Sequence, residues 1–430
     1  MPGEQLTEDT VRKVFDSNNT AKIEDFFSKW NFANTTSAAF RMNEGEKNVL
    51  GDKICEKIEI DELSAILLET IRLISRERQG LDSLLNKELC EKIIVMAGLT
   101  LVDGYPKTTH ALMEAQKCLI NTMFHSAKMR EHFYANPDVS ENILMFLTEF
   151  EESRRKKSQI QWIRDLNQTQ AADVWYFYHR IAFIATAMSK ELQEKWSMKS
   201  TIVDTLLLAV DIILDGRKEI SKLDYDRASE AMKTFFNIFC RFDRVLEIMD
   251  DKNATKSCQV LRDVILSDLV TDEIRENAVH ALSVPPVPMM LNVLCSDPAQ
   301  PIPTNSEQQN FRDLNCMQLT ETVLTALDKQ LTRAVALLNA TPPGEPCRDG
   351  QTLVDLVGPY FQFLARLCTE SKHVRRYCRI RVLPPLVADE VKKRPEEHDT
   401  MRGRIVRVMM LPSTTKEVAS EFLFIICKRS

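Results

Sequence analysis

The feature that most constrains this chain is its hydrophobic period. In segment after segment, apolar residues recur at i, i+3, i+4 and i+7, the stripe that an α-helix needs if one face is to be buried, while strand-like alternation is almost absent. The clearest runs are 60–78, 80–97, 109–125, 138–152, 173–190, 201–214, 227–242, 258–270, 313–339, 350–370, 396–411 and 413–428. With only 11 glycines in 430 residues there is little material for a many-turned β fold. Helices of roughly three to five turns in such close succession predict stacked repeats rather than one compact bundle.

Punctuation separates the runs. Pro106 closes a short loop, the charged and Gln-rich stretch Glu151 to Ala172 spaces two helices, and Asp215-Gly216 stops another. Six of the 17 prolines fall between Val284 and Pro303, and Pro342, Pro343 and Pro346 mark a further loop. An internal repeat is also visible. Glu114-Ala115-Gln116-Lys117-Cys118-Leu119-Ile120-Asn121 matches Glu230-Ala231-Met232-Lys233-Thr234-Phe235-Phe236-Asn237 as E-A-x-K-x-[LF]-[IF]-N. The polar residues lie along one helical stripe, expected to face outward. Leu112, Ala115 and Leu119, or Met232, Phe235 and Phe239, lie along another, expected to pack. The fold class expected is all-α, an armadillo/HEAT-like helical-repeat solenoid with a concave binding face over 1–428, with irregular loops near 153–172, 284–312 and 341–350.

A formal charge of -6 argues against a nucleic-acid binder, although from Ser371 to Ser430 there are 14 Lys and Arg against 7 Asp and Glu. That basic end reads either as a solvated helix face or as a surface for an acidic partner. Eleven cysteines without a CxxC pair fit a reduced compartment, with Cys118, Cys240, Cys368 and Cys427 in apolar helical surroundings. The N-terminus has no apolar signal core and no run approaches a membrane span, so the location expected is cytoplasmic. The scattered seven histidines form no HExxH, and neither a GxSxG elbow nor a glycine-rich phosphate loop is present. No cofactor, metal or bond-making chemistry is expected.

Three constellations admit two readings each. Arg72 and Arg76, at i,i+4 opposite the stripe of Leu63, Ile66, Leu67, Ile71 and Ile74, could jointly grip a carboxylate or form a solvated face with Glu69 and Glu77 as local partners. Lys117, Asn121, Lys233 and Asn237 could bond a bound peptide's backbone or brace helix to helix. In Trp175-Tyr176-Phe177-Tyr178-His179-Arg180, four successive directions put some side chains in the core and at least one outside, where it could anchor a partner.

Glu69-Thr70-Ile71-Arg72-Leu73-Ile74-Ser75-Arg76-Glu77-Arg78, followed by Gly80-Leu81-Asp82-Ser83, resembles the synembryn family, the resistance-to-inhibitors-of-cholinesterase proteins. Glu114 to Asn121, Arg180 to Met188, Glu230 to Ile238, Arg381 to Leu386 and Glu417 to Phe424 agree in order, so the resemblance spans about 60–428. It implies an armadillo/HEAT-like solenoid that acts on G-protein α subunits as folding chaperone and receptor-independent guanine nucleotide exchange factor, the concave face taking the helix at the C-terminus of its client. It further implies that Arg72 and Arg76 meet that helix and its acidic end, that Lys117 and Asn121 lie beside them, and that Phe177 and Phe236 give apolar contact. A neuronal calcium-sensor protein as second partner, a monomeric state and recruitment to the cell cortex through G proteins are expected on the same ground. Family members continue past the helix ending Ile425-Ile426-Cys427-Lys428, which implies a truncated or short form here that keeps the groove, with weak exchange. The rival class is an armadillo-type cargo or scaffold adaptor. Such adaptors set Trp one turn before Asn, whereas Lys117 and Lys233 stand there.

Overall fold

A computed structural model describes residues 5–102, 106–153, 158, 160–216, 220–240, 249–292, 317–340, 357–387, 390–411 and 414–428. Among the described residues there is no strand, and helices pack against helices throughout, as the period predicts. The chain divides into two compact units: Met1–Trp196 with Ser221–Glu230, and Ser197–Ile220 with Ala231–Ser430.

In the first unit one row of helices consists of α2 (Thr20–Ala33), α4 (Asp61–Ile74), α7 (Thr109–His125) and α11 (Gln168–Met188), each packed on the next. A second row runs through α1 (Glu8–Phe15), α3 (Glu44–Lys57), α6 (Lys87–Met96) and α8 (Ala127–Ala135). The short α5 (Leu81–Leu84) lies against α3, and α9 (Pro137–Ser153) joins the rows by touching both α8 and α11. α10 (Gln161–Arg164) and α12 (Lys190–Ser197) complete the unit with the first half of α14 (Lys222–Phe239). Local sequence starts these helices where it should. Asn43 and Glu46 form a reciprocal capping box for α3, as Asn167 and Gln170 do for α11, while Thr108 and Ser126 cap α7 and α8. Leu63, Leu67, Ile71 and Ile74 of α4 and Leu112, Ala115 and Leu119 of α7 are all fully buried, so the repeat's apolar stripe packs as expected.

In the second unit α13 (Ile202–Asp211), α15 (Asp251–Leu266), α18 (Gln318–Ala340) and α21 (Met401–Met409) follow one another in one row. α16 (Asp272–Leu282), α19 (Gly358–Glu370) and α22 (Thr415–Cys427) form the other. α17 (Val287–Asn292) fits between α15 and α19, and α20 (Lys372–Val382) touches α18, α19 and α22. Met232, Phe235 and Phe239 of α14 are buried here, again as the stripe predicts.

Several boundaries differ from the sequence reading. The run 80–97 is two helices, because Leu85 turns extended and Asn86 caps α6. Gly80 opens α5 at φ 68, a left-handed conformation that favours glycine. The helices before Ile60 and α8, α12, α16 and α20 lie outside the runs read from the sequence: α3 buries Lys47 and Gly51 along with Leu50, Ile54 and Cys55, and the arginines of α20 hide its stripe of Val374, Tyr377, Cys378 and Val382. Within 153–172 lie α10 and the first turn of α11, and α17 lies within 284–312, while 293–312 and 341–350 fall outside the described residues. Cys118 and Cys368 are buried as expected, but Cys240 and Cys427 are exposed. Cys240 comes one residue after the last core-facing turn of α14, and Cys427 is the last residue of α22.

Candidate partner-binding site

The sequence-derived candidates separate between the units. Arg72, Arg76, Lys117, Asn121 and Phe177 belong to the first, Phe236 and Asn237 to the second. In the first unit three successive helices present them, because α7 packs on both α4 and α11.

Arg72 is held rather than free. Its Nε donates to Glu114 Oε2 of α7 at 2.9 Å and its Nη2 to Glu69 Oε1 at 3.0 Å. Glu114 also accepts from Lys117 Nζ at 2.7 Å, and Asn31 of α2 donates to Glu69 at 3.2 Å. A polar ladder therefore crosses α2, α4 and α7. Burial pushes the Glu114 carboxyl up, but the Lys117 hydrogen bond and the Arg72 charge outweigh it, so the group stays below the usual glutamate range. Asn121 Nδ2 donates to the Arg72 carbonyl at 3.4 Å and so braces α7 against α4. Lys117 Nζ lies 5.8 Å from the Phe177 ring centroid, which ties α7 to α11.

Arg76 does not share a helical face with Arg72. α4 ends at Ile74, and Arg76 stands exposed in the following turn, its Nη1 donating to the carbonyls of Thr35 at 2.6 Å and Ser37 at 3.2 Å. The expected pairing with Glu77 is absent too, since Glu77 takes the buried Lys47 at 3.1 Å. Arg130 donates to the Met123 carbonyl at 2.8 Å, and burial together with the Arg78 and Arg130 charges holds His125 below its ordinary pKa. In the second unit Phe236 is half-buried with its ring 6.3 Å from His280, and Asn237 is half-buried one turn before exposed Cys240.

Residues 67–430 match the family described as guanine nucleotide exchange factor synembryn. The chain belongs to the synembryn family. A protein named Chaperone ric-8 from Caenorhabditis briggsae is 62% identical over 438 residues, covering 100% of this chain and 77% of that one. Chaperone ric-8 of Caenorhabditis elegans is 56% identical over 434 residues, covering 99% and 76%. Chaperone Ric-8A of Danio rerio is 25% identical over 429 residues, covering 92% and 70%.

In this member of the synembryn family the residues that sequence reasoning missed are the carboxylates. The glutamates that open both E-A-x-K copies were expected to face outward with the other polar positions, yet Glu114 and Glu230 are 6% and 4% exposed. Each is clasped by an arginine from another helix: Arg72 holds Glu114, and Arg180 of α11 donates to Glu230 at 2.8 Å. Arg180 also lies over the rings of Phe124 at 5.8 Å and Phe183 at 5.5 Å. The repeat itself was the available signal, because a glutamate at the same place in both copies marks a position with a structural duty. Of the aromatic run, Trp175 and Tyr178 are core, whereas Tyr176 and Phe177 are half-buried.

His179 lies in the same run, buried with neither ring nitrogen hydrogen-bonded. Burial, and then the charge of Arg227, push its pKa down to about 3. An unfolded histidine binds its proton near 6.5, so between there and about 3 only the unfolded chain is protonated, and stability falls as pH falls. At pH 5 this loss is about 2 kcal/mol. Urea denaturation at pH 7.5 and pH 5 should show that the His179→Phe variant loses about 2 kcal/mol less than the parent. Equal losses would mean that His179 takes no part in acid destabilisation.

Among the described residues no helix is long and apolar enough to cross a membrane, and no group of three or more His, Cys, Asp or Glu is placed to hold a metal ion.

Proposed function

We propose that the chain grips the α subunit of a heterotrimeric G protein by its C-terminal helix, acting both as folding chaperone and as receptor-independent exchange factor. The observation that carries this reading is the exposed Arg76 one turn beyond Arg72, at the end of the ladder of Arg72, Glu114, Lys117 and Phe177. Arg76 would take the acidic end of the incoming helix, with Lys117, Asn121 and Phe177 along its length and Arg72 holding the surface in shape. Phe236 and Asn237 are proposed as the second unit's contacts with the same client.

Exchange by such a grip needs no catalytic residue. A protein that binds the nucleotide-free α subunit more tightly than the nucleotide-bound one must weaken nucleotide affinity by the same factor. Moving that equilibrium from 1:99 to 99:1 takes roughly 5.5 kcal/mol of differential binding. Drawing the helix away from its own sheet would supply it, and the same grip would shield apolar surface on an immature α subunit. We further propose a cytoplasmic monomer, brought to the cell cortex by its α subunits, with a neuronal calcium-sensor protein as second partner.

Calorimetry with a peptide spanning the last helix of an α subunit tests the reading. Arg76→Glu should weaken binding about 10- to 150-fold, the worth of one charge-assisted hydrogen bond, while lowering the melting temperature less than Arg72→Glu does, because its bonds to the Thr35 and Ser37 carbonyls are exposed. Unchanged affinity would remove Arg76 from the site. Tight binding without acceleration of GDP release would favour the scaffold adaptor instead.

A further inference from the structure

The second unit carries a surface that the α-subunit reading leaves unused. From Lys372 to Arg394 the sequence has eight Lys and Arg against two acidic residues, Asp389 and Glu390. Into this basic segment are set aliphatic side chains that the fold leaves in water: Ile380 is 49% exposed, Leu386 53%, Val387 61% and Val391 67%. Lone exposed aliphatics are ordinary, but four within a dozen residues of a Lys- and Arg-rich segment are the composition of an interaction site.

The display is built. Glu390 accepts from the Val387 amide at 3.1 Å, and the Glu390 amide donates back to the Val387 carbonyl at 2.9 Å, which fixes Val387 against Glu390. Arg402 anchors both ends of this stretch to α21, donating to the Pro384 carbonyl at 3.3 Å and to Glu390 at 3.4 Å. Glu390 is thereby matched with a cation of its own. Of the basic residues, Arg381 is taken by Glu321. Lys372, Lys392, Lys393 and Arg394 are exposed.

We propose that this surface docks on an anionic membrane, with Leu386, Val387 and Val391 entering the headgroup boundary and the surrounding cations lying against acidic lipid headgroups. Charge decides the kind of bilayer: a chain of net charge -6 gains nothing from a negative surface except through a local excess of this kind. Side-chain type favours lipid over protein, because protein hot spots are built on aromatic anchors, whereas three small or branched aliphatics in a segment that also carries exposed Lys392, Lys393 and Arg394 fit shallow insertion with electrostatic attraction. The proposal stands apart from the α-subunit reading, since it uses none of the residues assigned there.

Co-sedimentation of the full 430-residue chain with vesicles tests it. Partition onto phosphatidylcholine vesicles holding about a third phosphatidylserine should exceed that onto pure phosphatidylcholine by about 10-fold or more in 0.1 M salt, and should fall steeply at 0.5 M. Leu386→Glu with Val387→Glu, and separately Lys393→Glu with Arg394→Glu, should each remove about 10-fold or more of that partition. All four positions are exposed, so melting temperature and affinity for the α-subunit peptide should stay unchanged. Equal partition onto both vesicle types, or partition untouched by both double variants, would overturn the proposal. So would failure to bind vesicles together with tight binding of a phosphorylated acidic peptide, which would assign the surface to a protein.

Discussion

Arg72→Glu is expected to cost about 3–5 kcal/mol of stability, more than it costs any partner contact. The new carboxylate would stand beside Glu69 and beside Glu114, whose side chain is only 8% exposed, and Lys117 alone would be left to balance them. A buried charge deprived of its partner bears the full desolvation penalty, and a like charge at hydrogen-bond distance adds to it. The loss should appear as a lower urea midpoint without any ligand present. Adding Glu114→Gln to the Arg72→Glu background should recover part of it, because the repulsion is then removed. If Arg72→Glu left the midpoint unchanged while abolishing peptide binding, Arg72 would be a contact residue and the ladder incidental. The comparison with Arg76→Glu is informative because Arg76 donates to exposed loop carbonyls rather than to a buried carboxylate, and its replacement should lose affinity with a much smaller loss of stability.

Gly51→Ala should destabilise the first unit by about 3 kcal/mol or more, against the usual expectation for a glycine inside a helix. Replacing a mid-helix glycine by alanine ordinarily stabilises by about 1 kcal/mol through backbone entropy and propensity. At Gly51, however, a Cβ would lie 1.9 Å from the Leu84 carbonyl oxygen and 2.9 Å from its carbon. Backbone cannot yield as a side-chain tip can, so α3 and α5 would have to separate. The steric cost wins. Gly216→Ala, where a Cβ meets nothing within 4 Å, is the control, and its midpoint should barely move. A Gly51→Ala protein at least as stable as the parent would mean that the two helices are not in this close register.

Much of the fold can be read from local pattern because a helix advertises its buried face every three or four residues. The run 109–125 coincides with α7, and 60–78 contains α4, with no tertiary information needed to place either helix, although α4 stops at Ile74. Some helices lack such a signal because the pattern is diluted. Lys47 is buried only because Glu77 and the Gln79 carbonyl meet it, and α20 is a helix with four arginines among its eleven residues. Neither partnership is visible within a window of one or two turns.

The candidate site divides the same way. Its residue types and their recurrence in E-A-x-K-x-[LF]-[IF]-N lie in the sequence, as does the synembryn resemblance. Their arrangement does not. Arg72 and Glu114 are 42 positions apart and Arg180 and Glu230 are 50 apart, so only the packing of one helix on another could reveal that the repeat's glutamates are buried anchors for arginines. Arg72 and Arg76 looked equivalent at i,i+4, yet α4 ends between them, which leaves one in the ladder and the other exposed beyond it. Periodicity is a property of neighbours along the chain and determined the helices. Charge burial depends on neighbours in space, and only the tertiary structure decided which of two matched arginines supports the surface and which stands exposed at its edge.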